Sequence, residues 1–109
     1  MKEIKAYINR HKLDEVIRAL RKVEGLTGLS VSERYGYGIS WARDRPPEQI
    51  DFRDGLKLEI ICLDELADQV VDAIARAAHT GLTGDGKIYV ASIEQAVRIS
   101  TGERGEGAV

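Results

Sequence analysis

Residues 56–90 read LKLEIICLDELADQVVDAIARAAHTGLTGDGKIYV, and the hydrophobic period changes twice along them. Leu56, Leu58 and Ile60 alternate with Lys57 and Glu59, the period of a strand with one buried face, and the pattern runs to Leu63. From Asp64, a side chain suited to an N-cap, Leu66, Val70, Val71, Ile74 and Ala78 recur at helical spacing. Ile88 and Val90 restore the strand period after a loop that holds three glycines and Lys87. The second half of the chain is therefore strand, helix, loop, strand.

The loop itself invites a chemical reading. Gly81, Gly84 and Gly86 let backbone N–H groups converge on an anion, and Lys87 brings a positive charge to the same place. Residues 81–87 satisfy G-x-x-x-x-G-K, the first part of a Walker A motif. Ile88 stands where that motif needs a Ser or Thr for magnesium, and the context is inverted, helix before the loop and strand after it. This is not a P-loop NTPase. Spacing alone leaves two readings open, a phosphate-binding loop or a glycine-terminated helix followed by a tight turn.

The first half repeats the pattern. Ile4, Ala6 and Ile8 alternate with Lys5, Tyr7 and Asn9 as a strand. Leu13, Val16, Ile17, Leu20 and Val23 make one apolar helical stripe, closed by Gly25 and Gly28. Leu29, Val31, Tyr35 and Tyr37 return to period two and end at Gly36 and Gly38. Val97 and Ile99 predict a short fifth strand. The order predicts an α+β, ferredoxin-like βαββαβ sandwich with two helices on one face of an antiparallel sheet. The other face needs cover, and self-association supplies it most simply.

Between Gly38 and Leu56 the periodicity fails. This segment carries Trp41, Arg43-Asp44-Arg45, Pro46-Pro47 and Asp51 where about two to five residues would close a hairpin. Loops of this length are functional or disordered. Trp41 is either an anchor of the loop or a contact for a partner.

Bulk properties set the remaining bounds. A chain of 109 residues makes one domain, assigned here to residues 1–109. Sixteen Lys and Arg against eighteen Asp and Glu leave a formal charge of −2, which implies no nucleic-acid affinity. Cys62 is the single cysteine, so no intrachain disulfide forms, and a buried small residue is its simplest role. Neither a signal-like apolar segment nor a run of membrane-spanning length is present, and the chain reads as a cytoplasmic protein. His11 and His79 lack metal-ligand spacing, while Asp14, Glu15, Asp68 and Asp72 fit a solvated helix face.

Several motifs together resemble the P-II signal-transduction family over nearly the whole chain. Lys12-Leu13-Asp14 with Val16, and Leu26-Thr27-Gly28-Leu29-Ser30-Val31, are similar to its opening half. Gly36-Tyr37-Gly38 resembles the G-F-G that leads into its T-loop, placed here at residues 39–55. Thr80 to Ile88 is similar to the T-G-x-x-G-D-G-K-I of its B-loop, and Arg98 to Glu103 to the R-I-R-T-G-E of its C-terminal segment, placed at residues 98–109.

The resemblance implies a homotrimer that binds ADP or ATP between subunits and signals through the T-loop to a protein target. By that resemblance Gly84, Asp85, Gly86 and Lys87 hold the phosphates, and Arg98 reaches them from the adjacent subunit. Gly28 and Ser30 meet ribose and base, Ile61 and Cys62 flank the adenine, and Gly36, Tyr37 and Gly38 join nucleotide to T-loop. Trp41, Arg43 and Arg45 become the partner-facing surface.

The departures narrow the expectation. Ser100 replaces the second arginine of R-x-R, Ile39-Ser40 replace an arginine and a magnesium-associated glutamine, and Gly55 aligns with a family lysine. The T-loop is shorter and lacks the tyrosine that is uridylylated. These losses argue against 2-oxoglutarate sensing and point to ADP, ATP or AMP as effector, with carbon or bicarbonate handling or a membrane transporter as the regulated process. A slow ATP or ADP hydrolase, and a trimeric module for a small anion or protein with a decayed nucleotide site, are the competing readings.

Overall fold

The computed structural model describes residues 1–109. Its elements are β1 (Lys2–Ile8), α1 (Leu13–Leu20), β2 (Ser30–Gly36), α2 (Ile39–Ala42), β3 (Arg53–Cys62), α3 (Asp64–Ala78) and β4 (Ile88–Ser92). Short 3-10 turns at Arg10–Lys12 and Gly105–Ala108 complete it. The strands form one antiparallel sheet in the order β2-β3-β1-β4. This is the ferredoxin-like fold that the alternating periods predict.

Register explains why one face became the core. Ile4 pairs with Ile60, Ala6 with Leu58 and Ile8 with Leu56, so three apolar pairs point the same way. Val16 and Leu20 of α1 and Val70, Ile74 and Ala78 of α3 complete this layer, which contains no buried polar side chain. Each buried aliphatic side chain contributes about 1.5–3 kcal/mol. The helices cover that face only. Lys5, Tyr7, Lys57 and Glu59 share the opposite one, as their pairing requires.

Four differences from the sequence reading have local causes. β3 begins at Arg53 rather than Leu56, because Arg53, Asp54 and Gly55 pair with Gly36, Tyr35 and Arg34. Pairing, not burial, makes those residues strand, so no alternation betrays them. The predicted fifth strand is reduced to a single bridge between Val97 and Arg104, within a turn closed by Arg98 N–H to Glu103 O at 2.8 Å. Asp64 is the first residue of α3 and not its cap. Leu63 occupies the cap position, and the Asp64 carboxylate accepts a hydrogen bond from the Met1 ammonium at 2.7 Å. Finally, Val31 and Tyr35 lie on the core side of β2 yet stay exposed: β2 is an edge strand of the sheet, and Tyr35 pairs with Asp54, outside the buried run of β3.

Candidate functional site

The glycine loop is closed by one carboxylate. Asp85 accepts hydrogen bonds from the Thr80 amide at 2.8 Å and from the Thr80 hydroxyl, and lies 3.5 Å from His79 Nδ1. The Thr80 hydroxyl oxygen in turn accepts from the Leu82 amide at 3.1 Å. The hydrogen bonds from Thr80 hold the Asp85 carboxyl below its ordinary pKa, with the His79 charge a smaller contributor. Gly81, Gly84 and Gly86 have φ of +83°, +91° and +98°, which L side chains rarely adopt. None of them caps α3. Its C-cap is His79 in an extended conformation, so the glycines belong to the loop itself.

Gly86 also has a steric duty. A Cβ there would overlap the Tyr7 carbonyl, and the Tyr7 amide donates to Lys87 O at 2.9 Å. The loop is thereby pressed onto β1, and Lys87 is delivered to the head of β4.

These residues border a cleft of about 860 Å³ at one end of the sheet. Gly84 to Lys87 form one wall, and Gly36, Tyr37, Gly38 and Trp41 form another. The phosphate-loop and T-loop-base residues predicted from sequence are thus brought together. Tyr37 lies 5.6 Å from both Trp41 and Phe52, ring centroid to centroid. The Arg45 and Arg53 guanidiniums each lie 5.0 Å from the centre of the Trp41 ring, and Arg45 also pairs with Asp51 at 3.9 Å. Trp41 therefore anchors the loop. Arg43 is exposed.

The remaining predicted residues gather elsewhere. Gly28, Ser30 and Ile61 line a second hollow of about 380 Å³, together with Val97 and Val109. Arg98 lies near it and donates to Gly107 O at 3.2 Å. β2 accompanies β3 only as far as the Ser30–Glu59 pair, which leaves the β3 edge beyond it unpaired on that side. Cys62 turns its thiol into the core, 1% exposed, and burial raises its pKa. From Arg53 to Ile61 the strand spans roughly 26 Å, at about 3.3 Å per residue. The two hollows therefore sit at opposite ends of the sheet.

Sequence reasoning passed over Arg34, Arg53, Tyr7 and Tyr89, all of which line the first cleft. Strand alternation places Arg34 on the same face as Gly36, but only the pairing with β3 shows what lies beside it. No group of three His, Cys, Asp or Glu side chains converges as a metal site. No helix is long and apolar enough to cross a membrane.

A ferredoxin-like sheet with a glycine-and-lysine loop beside the base of a long inter-strand loop defines a class of small α+β proteins with a cleft suited to an anion. The model of the family described as "Nitrogen regulatory protein P-II" matches residues 1–103, and the chain belongs to that family. It is 48% identical to the nitrogen regulatory protein P-II of Bradyrhizobium diazoefficiens and 43% identical to that of Azospirillum brasilense, each match covering all of both chains. Among solved structures, Arabidopsis thaliana PII bound to citrate superposes with a TM-score of 0.82 at 31% identity, over 99% of this chain and 91% of that one. The chain is thus a regulatory, signal-transducing protein by family.

Proposed function

We propose that this protein is a non-catalytic sensor of adenine nucleotides that works as a homotrimer. The observation that carries the reading is Lys87. The Asp85-closed loop and the contact of Gly86 with Tyr7 fix its position at the cleft, and no carboxylate pairs with its ammonium. A lysine presented this way among glycine amides suits a phosphate.

The separation of the two hollows supports an intersubunit site. The phosphate end and the base end lie at opposite ends of one sheet, beyond the reach of a single nucleotide. Closing a ring of subunits would set the first hollow of one against the second hollow of the next, with Arg98 carried along. The uncovered sheet face is the surface through which the ring closes.

The signal would leave through the loop. Gly36 to Gly38 connect the cleft to α2, and Trp41 ties α2 to Arg53 at the cleft wall. A nucleotide that makes more contacts in one loop arrangement favours that arrangement. Hydrolysis lacks a base: Asp54 is paired with Arg10 at 3.5 Å, and Asp85 is committed to Thr80. The same commitments leave no protein cage for magnesium, which would arrive with ATP. With Ile39 and Ser40 in place of an arginine and a magnesium-associated glutamine, the effector read beside the nucleotide is a simpler anion than 2-oxoglutarate, bicarbonate among them. The citrate held by the plant PII supports anion recognition in this fold. The target is then a protein of carbon metabolism or transport.

Calorimetric titration of ADP and ATP into the protein, with and without bicarbonate and 2-oxoglutarate, tests this reading. Lys87→Ala is expected to weaken nucleotide binding by about 2–5 kcal/mol, the scale of losing one partner of a buried charge contact. Unchanged affinity would remove the phosphate site from Lys87.

A further inference from the structure

The cleft holds two more cations, Arg34 and Arg53, that the nucleotide reading does not use. Neither forms an ion pair, and neither donates a side-chain hydrogen bond within the chain. The carboxylates of the same cleft are taken, Asp54 by Arg10 and Asp85 by Thr80 and His79. With Lys87, three positive charges therefore line one cleft in which no carboxylate pairs with any of them.

Their placement is built rather than incidental. Arg34 on β2 lies over the Tyr7 ring, 5.4 Å from its centre. Its guanidinium occupies the space that side chains at 36 and 55 would fill. A Cβ on Gly55 would stand 3.1 Å from its Nε and Nη2, and one on Gly36 would overlap Nη1. The Nε is buried and has no acceptor. A buried donor without a partner is costly, and a small shift of the side chain toward a ligand oxygen would remove that cost.

Arg53 on β3 reaches the glycine loop across the same cleft. Its Nη1 lies 3.1 Å from the position of a Cβ on Gly84, so the guanidinium touches the glycine loop. The register sets Arg34 opposite Gly55 and Arg53 opposite Gly36, on one face of adjacent strands. Diagonal neighbours of this kind are about 7–8 Å apart, close enough for two forks to meet one ligand.

We propose that Arg34 and Arg53 form a second oxyanion subsite beside Lys87, shaped for a doubly charged group such as a phosphate. Planar guanidinium forks match such oxygens in pairs, which an ammonium does not. The oxyanion is either the terminal phosphate of a bound nucleotide or a free inorganic ion. The subsite rests on the nucleotide reading only for which of these sources fills it. Through Arg53, which also lies over Trp41, occupation of the subsite is communicated to the loop.

The test uses the full chain, with Arg34→Gln and Arg53→Gln made separately and circular dichroism confirming the fold. AMP, ADP and ATP are titrated by calorimetry. Inorganic phosphate is titrated into the free and the ADP-saturated protein. A terminal-phosphate source is expected to show as roughly 10- to 100-fold weaker ATP binding in both variants, the scale of a charged hydrogen bond, with AMP nearly unchanged. A free-ion source shows as unchanged nucleotide affinities but loss of phosphate binding and of the accompanying change in Trp41 fluorescence. If every affinity matches the parent protein, Arg34 and Arg53 only stack on aromatic rings and the subsite is refuted. Should a glutamine variant misfold, Arg34→Lys and Arg53→Lys keep the charge without the fork, and the same losses are expected in weaker form. If the parent protein binds no nucleotide, the sensor reading fails and the phosphate titration alone decides. Binding that Arg53→Gln abolishes supports the subsite, and no phosphate binding by the parent protein overturns it.

Discussion

Gly86→Ala tests whether close backbone approach, and not flexibility, is what the glycine loop requires. Two costs are combined at this position. The φ of +98° penalises an L side chain by roughly 1–2 kcal/mol, and the new methyl group must also displace the Tyr7 carbonyl. Gly102 separates the costs, since its φ is +74° and nothing lies within 4 Å of a Cβ there. Gly102→Ala therefore reports the backbone cost alone. The extra cost at Gly86 is an overpacking term of about 1–3 kcal/mol. Loss of the 2.9 Å hydrogen bond from Tyr7 to Lys87 adds about 0.5–1.5 kcal/mol. Gly86→Ala is therefore expected to be less stable than Gly102→Ala by about 1.5–4.5 kcal/mol. Gly84→Ala should resemble Gly102→Ala, because its methyl group meets only the tip of the Arg53 side chain at 3.1 Å, which needs to yield by only a few tenths of an ångström. Urea unfolding followed by circular dichroism at one fixed subunit concentration measures all three, with self-association held constant. Stabilities for Gly86→Ala and Gly102→Ala within about 0.5 kcal/mol of each other would refute the argument. The loop would then be free of β1, and Lys87 would not be held in place by that contact.

Two further predictions concern the core and the loop. Ile74→Ala, at a site with no exposure, should cost about 2–5 kcal/mol in the same unfolding assay, whereas Ile99→Ala, 99% exposed, should cost less than about 0.5; equal losses would mean that α3 does not pack as described. The Asp85 carboxyl is held below the ordinary 3.8 by its hydrogen bonds from Thr80. Its stabilising contribution is thus fully present above 3.8 and is lost as the pH falls through the lower folded value. In an NMR titration the acid shift of the Thr80 amide should therefore have its midpoint below pH 3.8; a midpoint at or above that value would contradict the Asp85 bridge.

Much of the architecture was legible because periodicity is a local property. Ile4, Ala6 and Ile8, and then Leu56, Leu58 and Ile60, declare the buried face of two strands without reference to each other. The run from Leu66 to Ala78 does the same for α3. Arg53, Asp54 and Gly55 gave no such signal, since their strand exists only through pairing with β2. The Asp64 carboxylate misled for a related reason: a side chain suited to cap a helix was drawn instead to the amino terminus, 63 residues away in sequence.

The sequence by itself determined the order of the four strands and the two long helices, the core face of the sheet, and the glycine loop with Lys87 as a candidate anion site. Tertiary structure alone decided that Arg34 and Arg53 share that loop's cleft, and that Gly28, Ser30 and Ile61 lie at the far end of the sheet. The physical reason is register. Alternation tells a residue which face it occupies, but which charges meet on that face depends on how strands distant in sequence are aligned, and no single segment carries that information.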